Sequence, residues 1–598
     1  GRKVRPWHIA NTTVRTPFRL KGGLKVLVEA GFEGNLHKEQ EEAIALALDE
    51  AGVIALSSTT TDVTSISRKW RSVLEKLGFI RPKVEPSSGV SQTDVGQEYT
   101  LTPNGRRLLA CRSLEAEQEV LLRSLAALQL PSPIEAGYDF PPFSPLRHVI
   151  RVIFALESLG ADPSISRMEM AGIVQFTHGS DQVVTVAEDI IEFRERREEA
   201  QSRRKFDGDW IRERASMFGQ KHQTLLDYQD VSFRYLKSTG LFRSRGRGIA
   251  LAPEKLRVAR LLADEADPQL PAGSYIERLG MGSDLPTDSL EGAGEVLSDL
   301  VAVASEWKVN VDLSGYDLDT PQGNALARHD LEAVIQEARE IEYGARQVEE
   351  IDEILTYMQL LENPSRRSIE FKGESLSIRK EERPAYFEWT LWRILLALGQ
   401  LRVPPYAVRR FEVDGDFLPV GTASGGGADV VGVYDDAVLV VEVTLTENSR
   451  QEAAEGEPVR RHVAGLLETY EPLGKQVYGL FVARRIDTNT AETFRIGVWY
   501  LAGDRRVDLD IVPVTLSQLR GILEYGIQQG KLDPSIIFNV IQDLAQLRRA
   551  SGGAPEWKSQ ISGYIQGLVN SDHADIVWPH HHIPVEEGST AFQRKNGV

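Results

Sequence analysis

The sequence predicts a multidomain protein: a mostly α region of winged-helix-like subdomains, then a helical linker, then a C-terminal α/β domain. Three observations lead there. At 598 residues the chain exceeds what one hydrophobic core organises, and about three to four domains follow. Apolar residues recur at helical spacing through the first part, and from about residue 366 they gather into short strand-like runs between helices. Charge divides the chain too: 264–350 holds 20 Asp and Glu against 5 Lys and Arg, whereas 1–25 holds 7 Lys and Arg and no acid. These shifts set boundaries at 1–270, 271–365 and 366–598.

Within 1–270, three passages share a pattern of short helices followed by a small β-wing. In the first, 57–62 reads as a turn and cap for a helix over 63–77, which carries Arg68, Lys69 and Arg71 and stops at Gly78. Phe79-Ile80 and Tyr99-Thr100-Leu101-Thr102 read as the wing strands, and Pro103 opens the next helix. In the second, a helix over 145–159 is followed by Ser166 with Glu169 three residues on, a helix-start signal. In the third, 231–242 leads to Arg243, Arg245 and Arg247 and then Ile249-Ala250-Leu251, two strand-like pieces around a basic tip.

A helix-turn-helix unit lays one helix in the major groove and its flanks on the backbone, so three basic examples in succession point to DNA contact. The candidate phosphate contacts are Arg2, Lys3, Arg5, Arg15, Arg19, Arg68, Lys69, Arg243, Arg245 and Arg247. A solvated tail is the alternative for the basic start. The formal net charge of −18 excludes nothing here, because phosphate binding responds to the field within a Debye length of roughly 8 Å. The acidic linker should hold helices over 291–308 and 324–361, the second with Leu331, Val334, Ile335, Ala338, Ile341 and Ile351 on an amphipathic face. DNA would repel it, so it reads as a spacer.

The last region should contain a helix over 386–398, a hairpin of strands 430–434 and 437–444 turning at Asp435-Asp436, and strands over 477–483 and 511–515. Its chemistry gathers in 425–462. Asp429 stands at the mouth of the hairpin and Glu442 near the end of the return strand, among aliphatic neighbours. Burying such a charge costs several kcal/mol without a partner, and a metal ion, an Arg or an edge position would each supply the remedy. Two acids delivered by one hairpin suit a hard divalent cation held against a phosphodiester. Gly425-Gly426-Gly427 would let a phosphate backbone approach, or is a flexible loop. Glu388 on its helix adds a third oxygen donor, while Glu457 and His462 read from the residues alone as a helix cap and a surface histidine.

Taken in order, these residues resemble a known family. Asp429…Glu442-Val443-Thr444 looks like the core of the PD-(D/E)XK nucleases. More narrowly, nearly the whole chain resembles the AlwI-like type IIS restriction endonucleases, a group that includes MlyI, PleI and strand-specific nicking enzymes. The likeness runs through 2–34, Leu101-Thr102-Pro103-Asn104-Gly105, 233–242, Phe387-Glu388-Trp389, 429–444, Glu457-Pro458-Val459-Arg460-Arg461-His462 and 511–516. It implies a C-terminal PD-(D/E)XK nuclease domain with Glu388, Asp429, Glu442, Glu457 and His462 at active-site positions. It also implies Asp429, Glu442 and Glu388 as ligands of Mg²⁺, with Mn²⁺ as a substitute, and products with a 5′-phosphate and a 3′-hydroxyl.

The implied partners are double-stranded DNA, and for double-strand cleavage either a transient homodimer through the nuclease domain or a small nuclease subunit. The superfamily's usual lysine two residues after the second acid is Thr444 here, which shifts water activation to His462 or Glu457 and fits the nicking branch. A non-catalytic DNA-binding regulator with a vestigial nuclease fold is the rival. The single cysteine, Cys111, excludes an internal disulfide framework. No apolar run reaches membrane-spanning length and no secretory pattern opens the chain, so a bacterial cytoplasmic setting is expected, with no membrane partner. His580-His581-His582 lies in a Trp- and Pro-containing tail and reads as a loop.

Overall fold

A computed structural model describes residues 3–57, 62–179 and 182–570. The chain divides into two compact units, Gly1–Gln336 with Asp414–Asp416 and Glu337–Val413 with Phe417–Val598. Helices dominate both, as expected for the first, and strands are few among the described residues.

In the first unit helices form at the predicted places, though residues 58–61 of the expected 57–62 cap lie outside the described residues. Helix Thr64–Lys76 ends before Gly78, whose φ of 78° is the left-handed conformation glycine adopts without a Cβ clash. Thr102 accepts a hydrogen bond from the Gly105 N–H to start Pro103–Ala110, and Ser166 and Glu169 form a reciprocal capping box at Arg167–Gly172. The wings differ from expectation. In the first passage Ile80 and Leu101 meet as an isolated antiparallel bridge, not as two strands. Pro82, Pro86 and Pro103 lack the N–H that a longer ladder would use.

The third passage does form a hairpin, Phe242–Arg245 with Gly248–Leu251, but Ser164–Ile165 of the second passage pairs on its far side. Passages two and three therefore share one sheet. They are not independent repeats.

The acidic stretch 271–365 contributes to both cores rather than standing apart. Helix Leu290–Glu306 buries Val296, Leu297 and Leu300 in the first core, and Ile351–Glu362 buries Ile354, Met358 and Leu361 in the second. The long helix expected over 324–361 is interrupted at Gln347–Glu350. There the buried Gln347 side chain turns inward, donating to the Tyr343 carbonyl (3.1 Å) and accepting from Arg393 Nε (2.6 Å).

The second unit places the residues of interest. Helix α1, Arg383–Leu398, is buried almost all round because Phe387, Trp389, Trp392 and a run of leucines leave it no polar face. Strands β1, Val430–Val433, and β2, Ala437–Thr444, form the predicted antiparallel hairpin. Helix α2, Glu457–Tyr470, then leads to β3, Gln476–Ala483, which lies parallel to β2, and β4, Asp510–Thr515, lies parallel to β3. The sheet order is β4-β3-β2-β1. The inner strands are covered on both faces, which is why they read as unbroken aliphatic runs.

Two buried histidines make the first unit acid-sensitive. His148, whose Nε2 lies 2.9 Å from Thr177 Oγ1, is pushed down to about 3 by burial. His8, stacked on Tyr228, is pushed down to about 4 by burial, with charged Lys76 beside it. Because the folded pKa lies below the unfolded value, protons bind the unfolded chain first. Stability is full above the ordinary histidine range and falls as pH drops through it, by about 1.4 kcal/mol per histidine per pH unit. Urea midpoints should fall between pH 7 and pH 5, and His148→Gln should flatten that slope.

Candidate active site

The hairpin register puts two acids face to face. Val430 pairs with Val441 and Val433 with Val438, so one further step sets Asp429 opposite Glu442. The Val443 N–H donates to Asp429 Oδ2 (2.9 Å), which fixes this carboxylate across the mouth of the hairpin. Glu442 is buried on β2, on the face it shares with Val440 and Thr444.

Helix α1 supplies the third acid. Its position is set by two indole N–H bonds, from Trp389 to the Phe417 carbonyl (2.7 Å) and from Trp392 to the Pro405 carbonyl (3.0 Å). Glu388, buried on this helix, accepts from the Ala423 N–H (2.8 Å) and comes within hydrogen-bond reach of Asp429. Burial raises the carboxyls of both Glu388 and Glu442 far above the ordinary range, and the charge of Asp429 raises them further. Three acids so placed repel one another unless a proton or a cation comes between them.

His462 on α2 closes the group. Its Nδ1 lies 2.5 Å from Glu442 Oε1, and its Nε2 is buried without a hydrogen-bond partner. Burial lowers the imidazole pKa, which favours the neutral ring.

Glu457 does not join the cluster. It is exposed and pairs with Arg461 one turn along α2 (2.8 Å). Glu455, which no sequence motif marks, comes nearer: it hydrogen-bonds Thr444, and both its own burial and the charge of Asp429 raise its carboxyl. Helix geometry gives the reason. Glu455 stands on the π-helical turn Glu452–Gly456 ahead of α2, whereas Glu457 opens α2 itself, five residues and so about 140° around the helix from His462. Glu457→Ala should therefore leave activity within threefold of the unaltered protein, whereas Glu455→Gln should lower it, as read from single-turnover rates.

Asp429, Glu442 and Glu388 are oxygen donors of the kind a hard divalent cation takes. Among the described residues no three or more His, Cys, Asp or Glu side chains are gathered closely enough to hold a metal ion as they stand.

The model of the AlwI restriction endonuclease family matches residues 75–522. The chain belongs to that family. Membership makes it a DNA nuclease of the restriction type, and the matched span includes every acid of the cluster and His462. No match is found among curated proteins.

Three distant likenesses are found among the solved structures that match. One is the small subunit (R.BspD6I2) of the heterodimeric restriction endonuclease R.BspD6I, 24% identical, covering 36% of this chain and 98% of that one, TM-score 0.28. Another is the BpuJ1 endonuclease binding domain in complex with modified DNA, 11% identical, covering 40% of this chain and 85% of that one, TM-score 0.28. The third is the restriction endonuclease FokI, 12% identical, covering 90% of this chain and 99% of that one, TM-score 0.24.

The basic candidates of this AlwI-family chain are mostly engaged. Arg5 pairs with Glu135 (2.9 Å), Arg15 with Asp227 and Asp230 (both 3.3 Å), and Arg68 with Glu41 and Asp62 (both 3.5 Å). Arg19 donates to the Val53 carbonyl (2.7 Å), Arg243 pairs with Glu254, and Arg245 with Asp162 (2.5 Å). Lys3, Lys69 and Arg247 are exposed. Phosphate contact by the paired arginines would require exchange of these carboxylates. Arg2 and His580-His581-His582 lie outside the described residues. Among the described residues no helix is long and apolar enough to cross a membrane.

Proposed function

We propose that this chain is a type IIS endonuclease that hydrolyses DNA phosphodiester bonds at a fixed distance from a short asymmetric site, with Mg²⁺ as its metal and Mn²⁺ able to substitute. The observation that carries the reading is the meeting of Asp429 and Glu442 across the hairpin, with Glu388 in reach of the first and His462 bonded to the second. The winged-helix-like elements of 1–270 would read the DNA, and 366–598 would form the PD-(D/E)XK nuclease domain.

Asp429 and Glu442 would hold the cation and Glu388 would contribute. When bound, it supplies an acidified water and offsets charge developing on the phosphoryl group. The chain's own groups do the rest. Glu442 fixes the His462 ring through Nδ1, which leaves Nε2 available to accept a proton from the attacking water. Thr444, standing where the superfamily has lysine, carries no charge to share that work. The products would carry a 5′-phosphate and a 3′-hydroxyl.

One such cluster cuts one strand, so a lone chain should nick, and double-strand cleavage should require a second cluster from another copy or a small subunit. Supercoiled plasmid incubated with Mg²⁺ at rising protein concentration tests this. Product that stays open-circular supports nicking, and linear product appearing at high concentration supports dimerisation. Tight, specific DNA binding with no cleavage in Mg²⁺ or Mn²⁺ would sink the nuclease reading in favour of a regulator. Sequencing the ends fixes the site, the offset and the strand.

A further inference from the structure

The cluster gathers Glu388, Asp429, Glu442 and Glu455, and no lysine enters it from β2. A phosphodiester approaching four carboxylates needs positive charge from the protein as well as from any bound cation. The segment just before the glycine loop carries two arginines with opposite fates. Arg409, whose backbone bridges to Val430 at the edge of β1, is locked onto Glu340 through Nη2 and Nε (2.7 and 2.8 Å). Arg410 is exposed and, among the described residues, forms no ion pair.

The Arg410 guanidinium lies instead over the glycine loop, with Nη2 3.5 Å from the Gly425 carbonyl. A Cβ on Gly427 would collide with it. From there its charge is felt by both Glu388 and His462. Gly427 thus leaves room for a guanidinium beside the acids, at a place a DNA strand can reach without displacing a salt bridge.

We infer that Arg410 binds a phosphate of the strand being cut, supplying at the rim of the cluster the cationic contact that Thr444 does not. The inference rests on the nuclease reading above. Arginine suits the task because its planar fork bonds two phosphate oxygens and stays charged at any working pH.

The test uses the full chain and supercoiled plasmid, with single-turnover cleavage in Mg²⁺, plasmid binding in EDTA, and Glu442→Gln alongside. Arg410→Gln should slow cleavage about a hundredfold with affinity within threefold, because most of the DNA-binding surface lies elsewhere. Arg410→Lys should recover at least tenfold of that loss, which a purely structural role would not predict. Gly427→Ala should push the flexible guanidinium aside at little cost to folding and slow cleavage as well. The Arg410→Gln/Gly427→Ala pair should then be no slower than Arg410→Gln alone.

If Arg410→Gln proves misfolded by circular dichroism, Gly427→Ala decides alone. Cleavage within threefold of the unaltered protein by the folded variants, with Glu442→Gln inactive, overturns the Arg410 assignment and leaves the nuclease reading standing. The assignment falls equally if a folded Arg410→Lys is no faster than Arg410→Gln. Cleavage by Glu442→Gln at the unaltered rate overturns the nuclease reading itself.

Discussion

Replacing Glu442 by Gln is expected to slow DNA cleavage about a thousandfold while leaving specific DNA binding within a few-fold of the unaltered protein. The substitution keeps the shape of the side chain and an oxygen that can accept from His462 Nδ1, so the hairpin and α2 should stay in place. What it removes is the charge opposite Asp429. Since Glu442 is buried on a strand of aliphatic residues, taking that charge away does not weaken the core. A gel shift on a fragment carrying the site separates the two effects. Loss of binding in step with cleavage would mean that Glu442 serves the fold and not the chemistry.

Asp429→Asn is expected to give a comparable loss of cleavage together with a gain in stability. Asn can still accept the Val443 N–H bond but no longer repels Glu388 and Glu442, the two carboxyls whose pKa values the Asp429 charge helps to raise. Without divalent cation the gain should emerge only as pH rises into the raised range of these carboxyls, reaching about 1 kcal/mol near pH 10, because below it their protons already relieve the repulsion. Adding Mg²⁺ should reverse the order. The unaltered site gains about 2.7 kcal/mol at one hundred times its dissociation constant, and the Asn variant gains little. Denaturant unfolding with and without Mg²⁺ measures both. Equal stabilisation of the two proteins by Mg²⁺ would remove Asp429 from the set of ligands.

Much of this was legible in the residues. Helix ends announced themselves through Thr102, Ser166 with Glu169, and Gly78, because capping is local chemistry between neighbours in sequence. The 430–444 hairpin was legible because two aliphatic runs flank a short acidic turn. Glu455 was not legible, because it stands on a π-helical turn that α-helical periodicity does not foresee, and the Pro458 start signal drew attention to Glu457 instead. The first wing differs from its expected form because Pro82 and Pro86 weigh against a ladder that β-propensity alone would favour.

By itself the sequence determined many helix ends, the 430–444 hairpin, and which acids sit among aliphatics, since each of these follows from periodicity and from capping partners a few positions away. It also determined the family, through motifs kept in order along the chain. Only the tertiary structure decided what met what: that Asp429 falls opposite Glu442, that Glu388 reaches them from a helix about forty residues upstream, and that Arg409 is tied down while Arg410 is not. It also decided that the acidic stretch, which looked like a spacer by charge, buries its apolar faces in two separate cores. The physical reason is the same in each case. Strand register, helix packing and ion pairing are set by contacts between residues far apart in sequence, and a single chain read locally carries no record of them.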